Sequence, residues 1–189
     1  MNDLEIILFN SEQDWERWLE EHHATSPGVW LKIAKKESGK QSVSYQEALA
    51  VALCFGWIDG QKNKFDDEYW LQKFTPRRPR SPWSVINRDK ATQLIEQGRM
   101  REAGLREVER ARQDGRWETA YASQSKAAIP DDLQAALDQN PSAKEFFNQL
   151  NSANRYAILF RINSAKKPET RQRRIAQFVE MLVQKKKLY

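Results

Sequence analysis

The sequence predicts an α+β fold: a small antiparallel sheet packed on helices, followed by a helical C-terminal region. Three observations lead there. Short β-branched runs and a hairpin pattern with an acidic tip fall before residue 76, and beyond residue 130 apolar residues recur at helical spacing. Seven Trp, eight Phe and five Tyr among 189 residues supply a core, and a chain of this length is one domain, or one domain with a helical extension.

Taken in order, Glu5 to Phe9 reads as a strand bounded by Asn10 and Ser11, either of which can cap a helix to about His23. In that helix Trp15, Trp18, Leu19 and His22 share one face. Pro27-Gly28 punctuates, Val29 to Ala34 is a second strand, and Lys35 to Lys40 is a polar loop. Ser44-Tyr-Gln-Glu47 is a capping box opening a helix to about Phe55. That helix is apolar nearly all round, which marks it as central. After Gly56, residues 61–67 and 69–75 form a hairpin with Asp66, Asp67 and Glu68 at its tip. Thr75 to Ser84 holds three prolines and is a stiff, extended loop. Ser81 or Ser84 caps a helix to Gln97, stopped by Gly98, and another runs from Glu102 to Gln113, stopped by Gly115. Residues 1–121 are thus the α+β region, 122–129 a linker and 130–189 the helical region. In the last, Pro130 and Pro141 sit in first turns. Apolar faces form from Phe146, Phe147 and Leu150, from Tyr156, Leu159 and Phe160 with Asn163 at its polar end, and from Ile175, Phe178, Val179 and Leu182. Lys185-Lys186-Lys187 begins a frayed tail.

Composition narrows the partners. A net charge of +5 and a pI near 9.3 permit an anionic small molecule, an acidic protein surface or nucleic acid, and equally permit a basic surface with no anionic partner. The charge is below that of a dedicated histone-like binder. Cys54 has no second cysteine to pair with, so nothing implies an oxidising compartment. The N-terminus is acidic where a secretory signal is basic, and no stretch reaches the ~20 apolar residues of a membrane span. Cytoplasmic localisation without membrane insertion is expected; the oligomeric state is left open.

No Gly-rich phosphate loop, nucleophile elbow or metal-spaced His or Cys set is present. His22 and His23 are neighbours that point apart on a helix, and Cys54 lies in an apolar helix, so no catalytic residue, metal or cofactor is assigned. The informative segment is the proline-stiffened bend. Arg77, Arg78, Ser81, Ser84 and Asn87 gather donors at a helix N-terminus, while Trp57, Trp83 and Asp59 shape a pocket. The competing reading has Asp59 locking Arg77 or Arg78, with both tryptophans in the core; a third makes Asp59 a catalytic base. A second basic cluster is Lys166, Lys167, Arg171, Arg173 and Arg174. Its arginines stand at the start of a helix, against the macrodipole. A carboxylate such as Glu169, one from the other half of the chain, or a bound anion should compensate.

These residues carry a resemblance. Tyr45-Gln-Glu-Ala-Leu49, Cys54-Phe-Gly-Trp-Ile-Asp-Gly60, Phe74-Thr-Pro-Arg-Arg78, Ser81-x-Trp-Ser-x-x-Asn87, Gly98-Arg-Met100 with Ala103-Gly-Leu105, Gly115-Arg-Trp117 and Ala165 to Arg174 make the chain resemble the YdeI/OmpD-associated, or bacteriocin-protection, family. Arg101-Glu102 departs from the polar residue and proline that relatives often place there. The resemblance implies a link to envelope stress or antimicrobial-peptide resistance and supplies no catalytic residues. The expectation is a non-enzymatic binding or regulatory protein for an anionic ligand. The alternatives are nucleic-acid binding through the basic C-terminal helix, or an enzyme using Asp59.

Overall fold

Alternating side chains build the sheet. In β2 (Val29–Ala34), Val29, Leu31 and Ile33 are buried while Trp30, Lys32 and Ala34 are less so, as a strand with one covered face requires. The structure, a computed structural model, describes residues 4–121 and 128–189. Most of the expected 122–129 linker therefore lies outside the described residues. The chain divides into two compact units, residues 1–120 and 121–189.

In the first unit the strand order is β1-β2-β4-β3. β4 (Tyr69–Pro76) runs antiparallel to both β2 and β3 (Trp57–Lys64). The sheet is mixed rather than wholly antiparallel, because β1 (Ile6–Ile7) lies parallel to β2. The reason is local: α1 (Glu12–His22) intervenes between them, and a helical crossover returns the chain in the same direction. The ladder slips between Asp59 and Lys62. Buried Gln72 fills this bulge, its Nε2 donating to the carbonyls of Gly60 at 3.0 Å and Gln61 at 3.2 Å.

The helices pack on one side of the sheet. Every residue from Ala48 to Cys54 of α2 (Tyr45–Cys54) is buried, so this helix is the centre that its composition demands. The indoles of Trp15 and Trp57 are buried with their N–H groups satisfied, at 3.1 Å from the carbonyls of Ala48 and His23 respectively. The helix starts are fixed by side chains: Ser11 accepts from the Asp14 amide, and Ser44 and Glu47 form the expected capping box. Ser84 accepts from the Asn87 amide at the start of α3 (Val85–Glu96). α4 (Glu102–Gln113) begins against the end of α2, where the Arg101 amide donates to the Cys54 carbonyl at 3.1 Å. That bond satisfies one of the carbonyls a helix end leaves open.

The second unit contains α5 (Asp131–Asp138), α6 (Pro141–Gln149), α7 (Ser152–Asn163) and α8 (Pro168–Val183). Pro141 occupies a first turn as expected, whereas Pro130 is the N-cap of α5. Phe147, Leu150, Ile175, Val179 and Leu182 enter its core. On α7 the buried stripe is Asn154, Ile158, Leu159 and Ile162; of the expected Tyr156, Leu159 and Phe160, only Leu159 is buried. Polar Asn154 hides the true face from a hydrophobicity pattern. Its Oδ1 accepts from the amides of Leu188 at 2.9 Å and Tyr189 at 3.1 Å, so the tail beyond Lys187 is pinned rather than frayed.

Candidate functional site

The bend after β4 is held from both sides. The Arg77 amide donates to the Gly56 carbonyl at 3.0 Å, tying the bend to the end of α2. The Arg77 guanidinium turns inward, 3.5 Å from the Trp83 ring centroid, and donates to the Pro82 carbonyl at 3.3 Å. At 6% exposure, Arg77 is a structural cation rather than the solvent-facing donor expected of it. Its planar guanidinium suits this stacking as an ammonium would not.

Both tryptophans are core. Trp83 is 2% exposed; Arg77 lies against its ring and Trp117 meets it edge-on at 4.9 Å. Trp57 packs edge-on to Trp15 and Trp18. Neither ring is open to a ligand. Asp59 is half-buried and accepts a 2.8 Å hydrogen bond from the Tyr45 hydroxyl; among the described residues it forms no ion pair with an arginine. Burial, and then the neighbouring Asp59 carboxylate, push the Tyr45 phenol well above its usual range. Asn87 is buried within α3. Cys54 is buried as well, and burial raises its thiol pKa to about 11, which keeps it protonated and unreactive near neutrality.

Arg78 and Arg80 stand outward. Both are exposed, and neither is in an ion pair among the described residues. Ser81 Oγ accepts from the Arg78 amide at 3.0 Å, and the Ser81 amide returns to the Arg78 carbonyl at 2.9 Å. The two guanidiniums thus project from a closed turn, a few residues before the capped start of α3.

Sequence reasoning left one participant unassigned. Arg116 Nη1 donates to the Ser81 carbonyl at 2.6 Å while the same side chain pairs with Asp114 at 2.7 Å. With Trp117 against Trp83, the Gly115-Arg-Trp117 triplet braces the bend from 35 residues away. A compact Gly-Arg-Trp signature after a helix was the available signal.

The second basic cluster divides. Arg171 makes a bidentate pair with Asp132, at 2.5 and 2.9 Å, and donates to the Ile162 carbonyl at 3.2 Å. Arg174 donates to the Arg161 carbonyl. The arginines that oppose the dipole of α8 therefore satisfy the C-terminal carbonyls of α7, and the compensating carboxylate comes from α5. Lys166, Lys167 and Arg173 remain exposed. Charge is also unevenly spread: residues 121–189 carry 12 Lys and Arg against 6 Asp and Glu, whereas residues 1–120 carry 19 against 20. Among the described residues no cluster of His, Cys, Asp and Glu could hold a metal ion, and no helix is long and apolar enough to cross a membrane.

Comparison with known proteins gives two matches to protein families. Residues 126–185 match the family described as Bacteriocin-protection, YdeI or OmpD-Associated, and take in the Ala165 to Arg174 motif. Residues 7–107 match a Domain of unknown function (DUF8412), which takes in the motifs from Tyr45 to Leu105. No curated protein and no solved structure matches significantly. With more than half its length in the second match, the chain belongs to the DUF8412 family and carries a bacteriocin-protection, YdeI/OmpD-associated domain after it.

Proposed function

We propose that this protein is a non-catalytic binding or regulatory protein that recognises an anionic ligand at the Arg78–Ser84 bend. One observation carries the reading. Arg78 and Arg80 are exposed cations without a carboxylate partner among the described residues, on a turn whose backbone is already fixed by Arg77, Ser81 and Arg116. A preorganised turn loses little entropy on binding, and guanidinium forks match phosphate and carboxylate oxygens. Asp59 is an orienting group for Tyr45 in this reading, not a base. A reducing cytoplasm suits the lone thiol of Cys54. Any protection against bacteriocins is then indirect, through a ligand sensed inside the cell.

Calorimetric titration with ATP, inorganic phosphate and citrate tests the site. Arg78→Ala/Arg80→Ala should abolish binding while leaving the melting temperature unchanged, because neither side chain packs inward. Equal heats from wild type and the double variant, with every ligand, would refute it. The concentration of charge in residues 121–189 favours a second reading, nucleic-acid binding through Lys166, Lys167 and Arg173. That reading needs an affinity falling steeply with log salt, and the lack of a gel shift at low salt ends it.

A further inference from the structure

The two faces of the sheet differ in chemistry. Val29, Leu31, Ile33 and Phe74 point into the helical core. On the opposite face the register sets Trp30 beside Lys73, Lys32 beside Leu71 and Ala34 beside Tyr69. Tyr69 and Leu71 are 9% and 6% exposed, yet neither belongs to the helix-packed core cluster. The side chains of this outer face shield one another. Lys32 Nζ lies 4.6 Å from the ring centroids of both Phe65 and Tyr69, and Lys73 Nζ lies 5.7 Å from that of Trp30. Phe65 is 45% exposed at the hairpin end. Among the described residues neither lysine lies within ion-pair distance of a carboxylate, although Lys32 is near enough to help hold the Asp66 carboxyl down; their ammonium groups rest on π faces.

We propose that this outer face binds single-stranded nucleic acid. Bases stack on Phe65 and Trp30, with Tyr69 as the buried floor beneath Lys32, as the ammonium groups of Lys32 and Lys73 leave the rings for adjacent phosphates. A sheet surface carrying aromatics and unpaired cations offers both halves of what a single strand presents, π faces and a charged backbone. A duplex keeps its bases stacked internally and gains nothing from the rings. An acidic peptide would use the two charges and leave the aromatics idle. The hairpin tip bounds the platform: Asp66 there accepts from the amides of Glu68 and Tyr69, Glu68 pairs with Lys40, and Asp67 is exposed. These carboxylates direct a strand away from the tip, toward Trp30. The residues involved are separate from Arg78 and Arg80 and from the basic helix of the second unit.

Fluorescence anisotropy of labelled 15-mer oligothymidylate on the full chain tests the proposal. With two phosphates engaged, the slope of log affinity against log salt should be about −1.4. Lys32→Gln/Lys73→Gln and Phe65→Ala should each weaken binding at least tenfold, and Phe65→Trp should keep it, since Phe65 is exposed and its replacement leaves the core intact. Arg106→Gln, an exposed arginine on α4 outside every site named, should stay within twofold of wild type, whereas loss of binding in Lys166→Gln/Lys167→Gln/Arg173→Gln with Lys32→Gln/Lys73→Gln unaffected would overturn the proposal. The proposal is overturned by no binding at 50 mM salt and 100 µM protein, by equal affinity for a 15-base-pair duplex, or by a Phe65→Ala variant that binds like wild type. Full competition by oligoglutamate at the same charge concentration would also overturn it and assign the face to an acidic protein.

Discussion

Replacing Gly104 by alanine sets two physical effects against each other. Gly104 lies in the first turn of α4, where helix propensity favours alanine by about 1 kcal/mol. Packing opposes it. A Cβ there would stand 2.7 Å from the Leu53 carbonyl oxygen and closer still to that of Cys54, with the Met100 methyl also at 2.7 Å. Met100 can swing aside; the two carbonyls belong to the end of α2 and cannot. Nor is the neighbouring turn compliant, because Gly56 has φ +74 and its own missing Cβ would meet the Ala103 carbonyl at 2.9 Å. Forcing such a contact costs up to about 3 kcal/mol, so the net loss is about 2 kcal/mol. At about 4 °C per kcal/mol for a unit of this size, the melting temperature should fall by about 8 °C. All seven tryptophans lie in residues 1–120, so tryptophan fluorescence reports this unit alone. Gly60→Ala is the control, since the nearest atom to its Cβ is 3.6 Å away, and it should shift the transition by no more than about 2 °C. A Gly104→Ala melting temperature equal to or above wild type would refute the account of how α4 sits on α2.

In the second unit, the hydrogen bond from Arg171 holds the Asp132 carboxyl below its usual range. A carboxyl lowered in the folded state contributes its full stabilisation above the unfolded value of about 3.9 and loses it as pH falls through the folded value. Hydrogen-exchange protection of residues 161–175, taken relative to the intrinsic amide rate at each pH, should therefore fall below about pH 4, and Asp132→Asn should show lower protection at pH 7 and lose much of that acid response; identical profiles would sink the assignment. Asn154→Ala leaves the Leu188 and Tyr189 amides without their acceptor, a loss of roughly 1–3 kcal/mol, and trypsin should cut at Lys185 to Lys187 several-fold faster than in wild type. Unchanged cleavage would mean that Asn154 does not hold the tail.

Legibility in the sequence followed how local the cause was. The capping box at Ser44, the all-apolar α2, the hairpin tip and the extent of β2 and α4 depend on neighbours within a few residues, and each is where the pattern placed it. The bend at Thr75 to Ser84 was recognisable as stiff and arginine-rich for the same reason. Which arginines face water was not. Arg77 and Arg78 are adjacent and chemically alike, and only the presence of Trp83 beneath one of them separates a buried strut from an exposed donor. The role of Arg116, present in the Gly115-Arg-Trp117 motif, was not legible because its partner, the Ser81 carbonyl, is backbone and carries no residue signature.

The helical unit shows the same division. Sequence marked three arginines at the head of a helix as electrostatically misplaced and required something to balance them. Tertiary structure chose what: the open carbonyls at the end of α7, and Asp132 from α5. By itself, then, the sequence determined the kinds of element, most of their limits and the residues in need of a partner, because propensity, capping and periodicity act along the chain. The partners themselves, the inward turn of Arg77 and the contrast between the sheet's two faces were decided by tertiary structure, because burial and hydrogen bonding join residues that chain order keeps apart.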